Sequence, residues 1–251
     1  MIRIVLLGNG NVAYHLHRAL LAASGIELVQ MVARRDDAFS DFEPGTPRGL
    51  LGGPIADADV YLIAVADSAI EAVSGHLRDK TGLVAHTSGA RDLEALRGIS
   101  RQGVFYPLQT FSRERELDFR EIPLCLEAGL PEDLHLLRAL AESLSQNVFE
   151  LEVTARRQLH LAAVFVNNFA NHMVYLGETL CQKQGLPENM LRPLLRETFS
   201  KLETLNAFQS QTGPARRRDQ VTQQAHMSLL KDSLQRELYQ IISESIQQTY
   251  D

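Results

Sequence analysis

The chain has no tryptophan and only two cysteines among its 251 residues. Cys125 lies in an apolar run and Cys181 in a helical pattern, and neither has a Cys or His neighbour at a metal-ligand spacing. A disulfide framework and a zinc site are therefore not expected, and both residues read as reduced, packed thiols of a cytoplasmic protein. Positive charge is also short. Against 31 Asp and Glu stand 25 Lys and Arg, a net charge of −6, so no basic field gathers phosphates and nucleic acid is not expected as a partner. No apolar run approaches the roughly 20 residues that cross a bilayer. The first one is too short for a signal peptide and ends in a glycine turn, so no membrane partner is expected either. Internal repeats and low-complexity segments are missing too. What remains, 45% apolar and 22% charged residues, is the composition of an ordinary globular protein of one large or two modest domains.

The sequence is organised around its opening. Residues 2–7 are apolar and partly β-branched, the pattern of a buried parallel strand. They run into Gly8-Asn9-Gly10-Asn11-Val12-Ala13, and a helical pattern follows with Val12, Leu16, Ala19 and Leu20 on one face. Gly8 permits the tight turn, Gly10 lets the backbone approach a pyrophosphate, and Ala13 allows close helix–strand packing. The helix that follows would offer its free N–H groups and dipole to the same anion. A lone G-x-G-x-x-A is weak evidence; directly after an N-terminal strand and opening a helix it points to a dinucleotide.

A second strand, residues 26–33, ends in Arg34-Arg35. An acidic residue there would accept hydrogen bonds from the ribose hydroxyls of NAD, whereas a guanidinium pairs with a 2′-phosphate, so these residues point to NADP. The competing reading is that the arginines are solvated or paired with Asp36 and Asp37. Residues 36–57, rich in Asp, Gly and Pro, read as an irregular connection. Residues 59–66 are a buried strand whose end, Val65 and Ala66, precedes Asp67, which either caps a helix or faces the adenosine half of the dinucleotide. The next strand ends in His86, followed by Thr87-Ser88-Gly89, a polar turn of the kind that meets ligands at the carboxyl edge of an α/β sheet. Further strands are expected at 104–106, 122–127 and 147–151, with a helix opened by Pro131. Strands alternating with helices over about 150 residues signify an α/β, doubly wound parallel sheet.

From Thr154 onward only helical periodicity is found. Thr154 reads as the N-cap of a long helix reaching toward Gln184, and the expected division is a nucleotide-binding domain over 1–152 and an all-helical domain over 153–251. On the long helix His160, Asn167 and Asn171 fall at i, i+7 and i+11, one face of an otherwise apolar helix. Buried polar groups of this kind need partners. They either face a cleft, where His160 moves a proton and an Asn amide holds a carbonyl or imine, or they are satisfied within the core or an interface. Thr212-Gly213-Pro214 with Arg216, Arg217 and Arg218 forms a basic turn that either binds a carboxylate or phosphate or is solvated.

Gly8 to Ala13, Asp67 after its strand, His86 to Ala90, Phe105-Tyr106-Pro107-Leu108-Gln109-Thr110-Phe111, and Thr212-Gly213-Pro214 with Arg218-Asp219 together carry a family resemblance. The chain resembles Rossmann-like proteins with a DUF2520 helical domain, which are labelled NADP-dependent oxidoreductases. It is similar more distantly to pyrroline-5-carboxylate reductase, ketopantoate reductase and the β-hydroxyacid dehydrogenases. The resemblance implies an NADP-binding Rossmann domain, a helical C-terminal domain resembling that of 6-phosphogluconate dehydrogenase, and a homodimer formed through the helices. It departs from the superfamily at the catalytic lysine of the long helix: here His160 is followed by Val164, and no lysine occurs before Lys183. The expected activity is hydride transfer to or from a small carbonyl or imine molecule. Gly8, Asn9, Gly10, Asn11, Val12, Arg34, Arg35, Val65, Ala66, Asp67 and Thr87 would hold the cofactor, and Ser88, His160, Asn167 and Asn171 would meet the substrate. A dimeric NADP-binding sensor without turnover is the alternative. Methyl transfer from S-adenosylmethionine is opposed by Arg34-Arg35, where an acidic residue would be wanted.

Overall fold

In the computed structural model residues 1–250 are described, the side chains of Asp37 and Glu188 excepted. The chain divides into two compact units, Met1–His172 and Met173–Asp251.

The first unit is an eight-stranded sheet. In chain order its strands are β1 (Ile2–Leu7), β2 (Ile26–Ala33), β3 (Arg48–Leu50), β4 (Val60–Ile63), β5 (Leu83–His86), β6 (Gln102–Pro107), β7 (Leu124–Ala128) and β8 (Val148–Glu150). In space they run β3-β2-β1-β4-β5-β6-β7-β8. The order reverses direction at β1, where the chain goes first to β2 on one side and later to β4 on the other. A crevice opens at such a switch point, beyond the carboxyl ends of the strands.

Alternate residues of each strand feed two separate cores. Ile4 and Leu6 of β1, with Leu62, Ala85, Phe105 and Leu126, pack under α1 (Asn11–Ala22) and α3 (Pro131–Leu144). Val5 and Leu7, with Tyr61, Ile63 and Val84, pack under the short α2 (Ile70–Ser74) and the turns around Leu77 and Leu96. Burial on both faces is why these strands are apolar runs rather than alternating ones. In α3, Pro131 occupies the first turn, and Leu137, Leu140, Ala141 and Leu144 are its buried stripe.

The sheet departs from the expected all-parallel arrangement at one pair. β6 and β7 run antiparallel, with Pro107 opposite Leu124. Only a short 3₁₀ turn, Phe119–Glu121, lies between them, so the connection 108–123 stays at the carboxyl edge of the sheet, the edge that holds the glycine turn. This is what brings Phe111, Ser112 and Arg113 to α1.

Two expected helix caps are corrected. Ala66, not Asp67, precedes a short 3₁₀ turn over Asp67–Ala69, and no side chain caps it. The long helix starts at Val153 with Glu152 at the cap position, so Thr154 is already inside it. That helix runs as α4 (Val153–Ala163), a π-helical stretch (Val164–Phe169) and α5 (Ala170–Lys183). Composition changes near residue 152, yet α4 and the π-helical stretch belong to the sheet unit. Arg156, Arg157 and His160 of α4 are hydrogen-bonded to Ser88, Ala90, Asp92, Tyr106 and Glu127.

The second unit has helices and turns but no strand among its described residues: the end of α5, then α6 (Arg192–Thr204), α7 (Ala207–Ser210), α8 (Gln220–Leu229) and α9 (Ser233–Thr249). Side chains cap three of these. Asn206, Asp219 and Asp232 accept from the backbone N–H groups of Gln209, Thr222 and Gln235. Arg218, just before the Asp219 cap, has a left-handed backbone (φ 54°). Among the described residues no helix is long and apolar enough to cross a membrane.

Candidate active site

The glycine turn is built by close packing. Gly8 has φ +134°, and a Cβ there would lie 2.1 Å from the carbonyl oxygen of Ala64 on the neighbouring strand. Only glycine fits, because β1 and β4 must stay paired up to the turn. A Cβ on Gly10, by contrast, would meet no protein atom within 4 Å. Gly10 is also the N-cap of α1, without a side-chain cap, so the first N–H groups of the helix are left for a ligand.

These residues line a cavity of about 850 Å³ at the carboxyl ends of β1, β2 and β4. That volume falls within the range of ligand and cofactor sites. One end holds Gly8, Asn9, Gly10, Asn11, Val12 and Arg34, with Val65 and Ala66 at the tip of β4. Tyr106, Gln109, Thr110 and Phe111 from the end of β6 and the stretch after it also line the cavity, as do His160 of α4 and Asn167 and Asn168 of the π-helical stretch. An extended dinucleotide fits this lining: a helix N-terminus for a diphosphate, a guanidinium for a further phosphate, and an open backbone at Gly10.

Not every expected residue is there. Arg35, Asp67, Thr87, Ser88 and Asn171 lie outside the lining. Arg35 is exposed beside Arg34, and the expected pairing of these arginines with Asp37 falls outside the described side chains. The Thr87 hydroxyl turns back to the carbonyl of Ile63 at 3.4 Å. The Ser88 hydroxyl serves its own turn, accepting from the N–H groups of Ala90 (3.1 Å) and Arg91 (3.0 Å), which leaves its O–H as a donor. His86 is fully buried, accepts from the Ser88 N–H at Nδ1 and pairs through Nε2 with the carbonyl of Asp92. Burial pushes its pKa down to about 4. His86 is a neutral strut of the turn.

The position of Asn171 outside the lining has a local cause. Spacing at i, i+7 and i+11 supposes an uninterrupted α-helix, but Val164–Phe169 is π-helical, and one wider turn shifts the phase of everything beyond it. Asn168 enters the lining and Asn171 leaves it.

Four further residues shape the site without having been singled out. Tyr106 holds His160, its hydroxyl 3.1 Å from Nδ1. Arg156, four residues before His160 and fully buried, donates to Glu127 (2.8 and 3.1 Å) and to the carbonyls of Ser88 (3.2 Å) and Gly89 (2.9 Å). One guanidinium thus ties α4, β7 and the turn after β5 together. On the far side Arg113 donates to the carbonyl of Asn9 and pairs with Asp41 while lying over Tyr14 and Phe42. Asn11 reaches the carbonyl of Phe111 at 2.8 Å, and His15 that of Ser112 at 3.0 Å. The stretch after β6 is therefore pinned to the glycine turn. The one sequence signal was the unusual tract 104–112, a strand broken by proline and followed by polar groups.

The family model for the domain of unknown function DUF2520 matches residues 122–246. A candidate NADP oxidoreductase from Bacteroides fragilis is 36% identical over 98% of both chains, with a TM-score of 0.89. The chain belongs to the DUF2520 family. Outside it the fold is shared with a pyrroline-5-carboxylate reductase from Coxiella burnetii, 16% identical over 99% of this chain and 97% of that one, TM-score 0.57. It is shared too with a reductive aminase from Aspergillus terreus in complex with NADPH and ethyl levulinate, 13% identical over 99% and 93%, TM-score 0.65. No curated protein matches the chain. In this DUF2520 protein Tyr106 and His160 line the same cavity as the glycine turn.

Proposed function

We propose that this protein is an NADP-dependent oxidoreductase that moves a hydride to or from a small carbonyl or imine compound. The observation that carries the reading is one cavity lined both by the glycine turn and its arginine, Gly8 to Val12 and Arg34, and by the hydrogen-bonded Tyr106 and His160, groups able to hold a nucleotide and to move a proton. Hydride chemistry needs both, because reduction of a carbonyl or neutral imine adds a hydride and a proton. The relative from Bacteroides fragilis, a candidate NADP oxidoreductase itself, supports the cofactor. Arg34 meets the 2′-phosphate, the N-terminus of α1 meets the diphosphate, and Asn167 orients the substrate's polar atom. When bound, the cofactor supplies the hydride.

The protein works as a homodimer joined through its helical region. Leu194, Phe208, Leu229 and Leu234 there are more than half exposed, a density of uncovered apolar side chains that marks interaction surfaces.

Calorimetric titration with NADPH and NADH tests the cofactor. NADPH is expected to bind more tightly, and Arg34→Ala is expected to weaken it by roughly 10- to 100-fold, the value of a charged hydrogen bond of about 1.5–3 kcal/mol. Binding of neither nucleotide would overturn the reading. Binding without turnover across carbonyl and imine compounds would leave a cofactor sensor.

A further inference from the structure

Tyr106 stands near the end of β6 and His160 one helical turn beyond Arg156. Their rings cross at 71°, with the hydroxyl 3.1 Å from Nδ1, and both face the cavity. The meeting depends on a residue from a third element. A Cβ on Gly89 would lie 2.6 Å from Cζ of Tyr106 and 2.7 Å from Nδ1 of His160, and Arg156 holds the carbonyl of that same glycine at 2.9 Å. A strand end, a helix and a braced glycine turn therefore converge on one hydroxyl.

Resting on the oxidoreductase reading, we infer that the Tyr106 hydroxyl is the group that hands a proton to the substrate's carbonyl oxygen during reduction, and that His160 restores it. The step balances. The carbonyl carbon gains a hydride from the dihydronicotinamide, whose ring is oxidised, and the carbonyl π pair moves to oxygen. The O–H bond of Tyr106 breaks and its proton joins that oxygen. The tyrosinate takes the Nδ1 proton of His160 as the imidazole takes one at Nε2 from a cleft water, whose hydroxide passes to solvent, and exchange with solvent returns the ring proton to Nδ1 before the next turnover. For this the Tyr106 hydroxyl must be free to point at substrate, so His160 must donate at Nδ1 and not accept there. Burial, with Cys125 adding to it, pushes the Tyr106 hydroxyl up to about 12, which keeps it protonated through neutral pH.

Two measurements decide it. In the cofactor-free protein, nitrogen NMR of the His160 imidazole at neutral pH should show a protonated Nδ1 whose resonance moves in Tyr106→Phe. An unprotonated, accepting Nδ1 overturns the inference while leaving the oxidoreductase reading intact. The second compares reduction by NADPH of cyclopentanone, which needs a proton, and of N-methyl-1-pyrrolinium, a ring of similar size that needs none. Tyr106→Phe should lower the ratio of the ketone kcat to the iminium kcat by about 100-fold, the lower range for general acid catalysis. Equal losses on both probes mean that Tyr106 only supports the fold, and no loss means that it transfers no proton; either overturns the inference. A wild-type protein that reduces neither probe overturns the oxidoreductase reading, and the inference with it.

Discussion

In the unit Met1–His172, side chains such as Ile4, Leu6, Leu62, Phe105 and Leu137 are fully buried, whereas in Met173–Asp251 the only buried residues among those described are Ala215 and Ser243. Both stretches carry ample leucine, isoleucine and phenylalanine. The difference is one of layering. A sheet offers two faces, and helices on each close a core from residues spread over the whole unit. Helices of about 10 to 17 residues each bury only a stripe, and the stripes of α6, α8 and α9 are left partly open. A unit with its own core can hold side chains at hydrogen-bond precision, which is where Tyr106, Arg156 and His160 are found. A unit without one is suited to meeting another surface, and a second copy of the chain is the surface proposed above.

That contrast can be broken most forcefully at Arg156. Its side chain is fully buried and its partner Glu127 nearly so, so Arg156→Met leaves a carboxylate and two carbonyls without their donor. A loss of about 3–5 kcal/mol is expected from chemical denaturation, as for other buried pairs broken on one side. A loss under about 1 kcal/mol would mean that water replaces the guanidinium and that the brace is dispensable.

The next effect compares the two units directly. Leu137 of α3 fills the space over Gly103 on β6, where a Cβ would come within 2.8 Å of its Cδ1. Leu137→Ala should cost about 2–5 kcal/mol at any protein concentration, from lost burial and a cavity. Leu234→Ala, at a site 62% exposed, should change the stability of a single chain by less than about 0.5 kcal/mol. In a dimer closed through α9 it should instead lower the melting temperature in a concentration-dependent way. Sedimentation equilibrium on both variants separates the cases.

The smallest of the three effects is a pH dependence placed in the sheet unit by His86. Its pKa is about 4 in the folded chain against about 6.5 when unfolded. Between these values the unfolded chain binds a proton that the folded one refuses. Stability is therefore fully present above about pH 6.5 and falls as pH drops toward 4, by at most about 3 kcal/mol. His86→Gln should flatten that slope relative to wild type in melts between pH 7 and 4.5. An unchanged slope would show that the buried imidazole is not its source.

Local pattern carried much of this structure. A strand followed by Gly8-Asn9-Gly10 and an amphipathic helix, or Pro131 opening a helix with leucines on one face, is legible because each depends on near neighbours and on a period of two or 3.6 residues. That Gly8 to Val12 and Arg34, the proposed cradle, line one cavity was legible for the same reason, since a turn and the residue after the adjacent strand suffice to place them there. The side proposed to transfer a proton was only half legible. His160 and Asn167 stood out as polar residues on an apolar helix. Tyr106 was one aromatic in a strand, and nothing local says which face it takes or that α4 lies opposite. Asn171 falls outside the cavity lining beyond the π-helical stretch, which leaves no compositional mark.

By itself, then, the sequence determined the alternation of strands and helices, the glycine turn at the first strand end and the guanidinium after the second. Backbone sterics, periodicity and short-range charge chemistry act within a few residues. Tertiary structure alone decided that β7 returns antiparallel, so that Arg113 and Phe111 reach the glycine turn. It alone decided that Arg156 is buried among carbonyls rather than solvated, and that a tyrosine and a histidine 54 positions apart share a hydrogen bond. Those outcomes depend on which surfaces close over one another, a property of the whole packed sheet and of no single stretch.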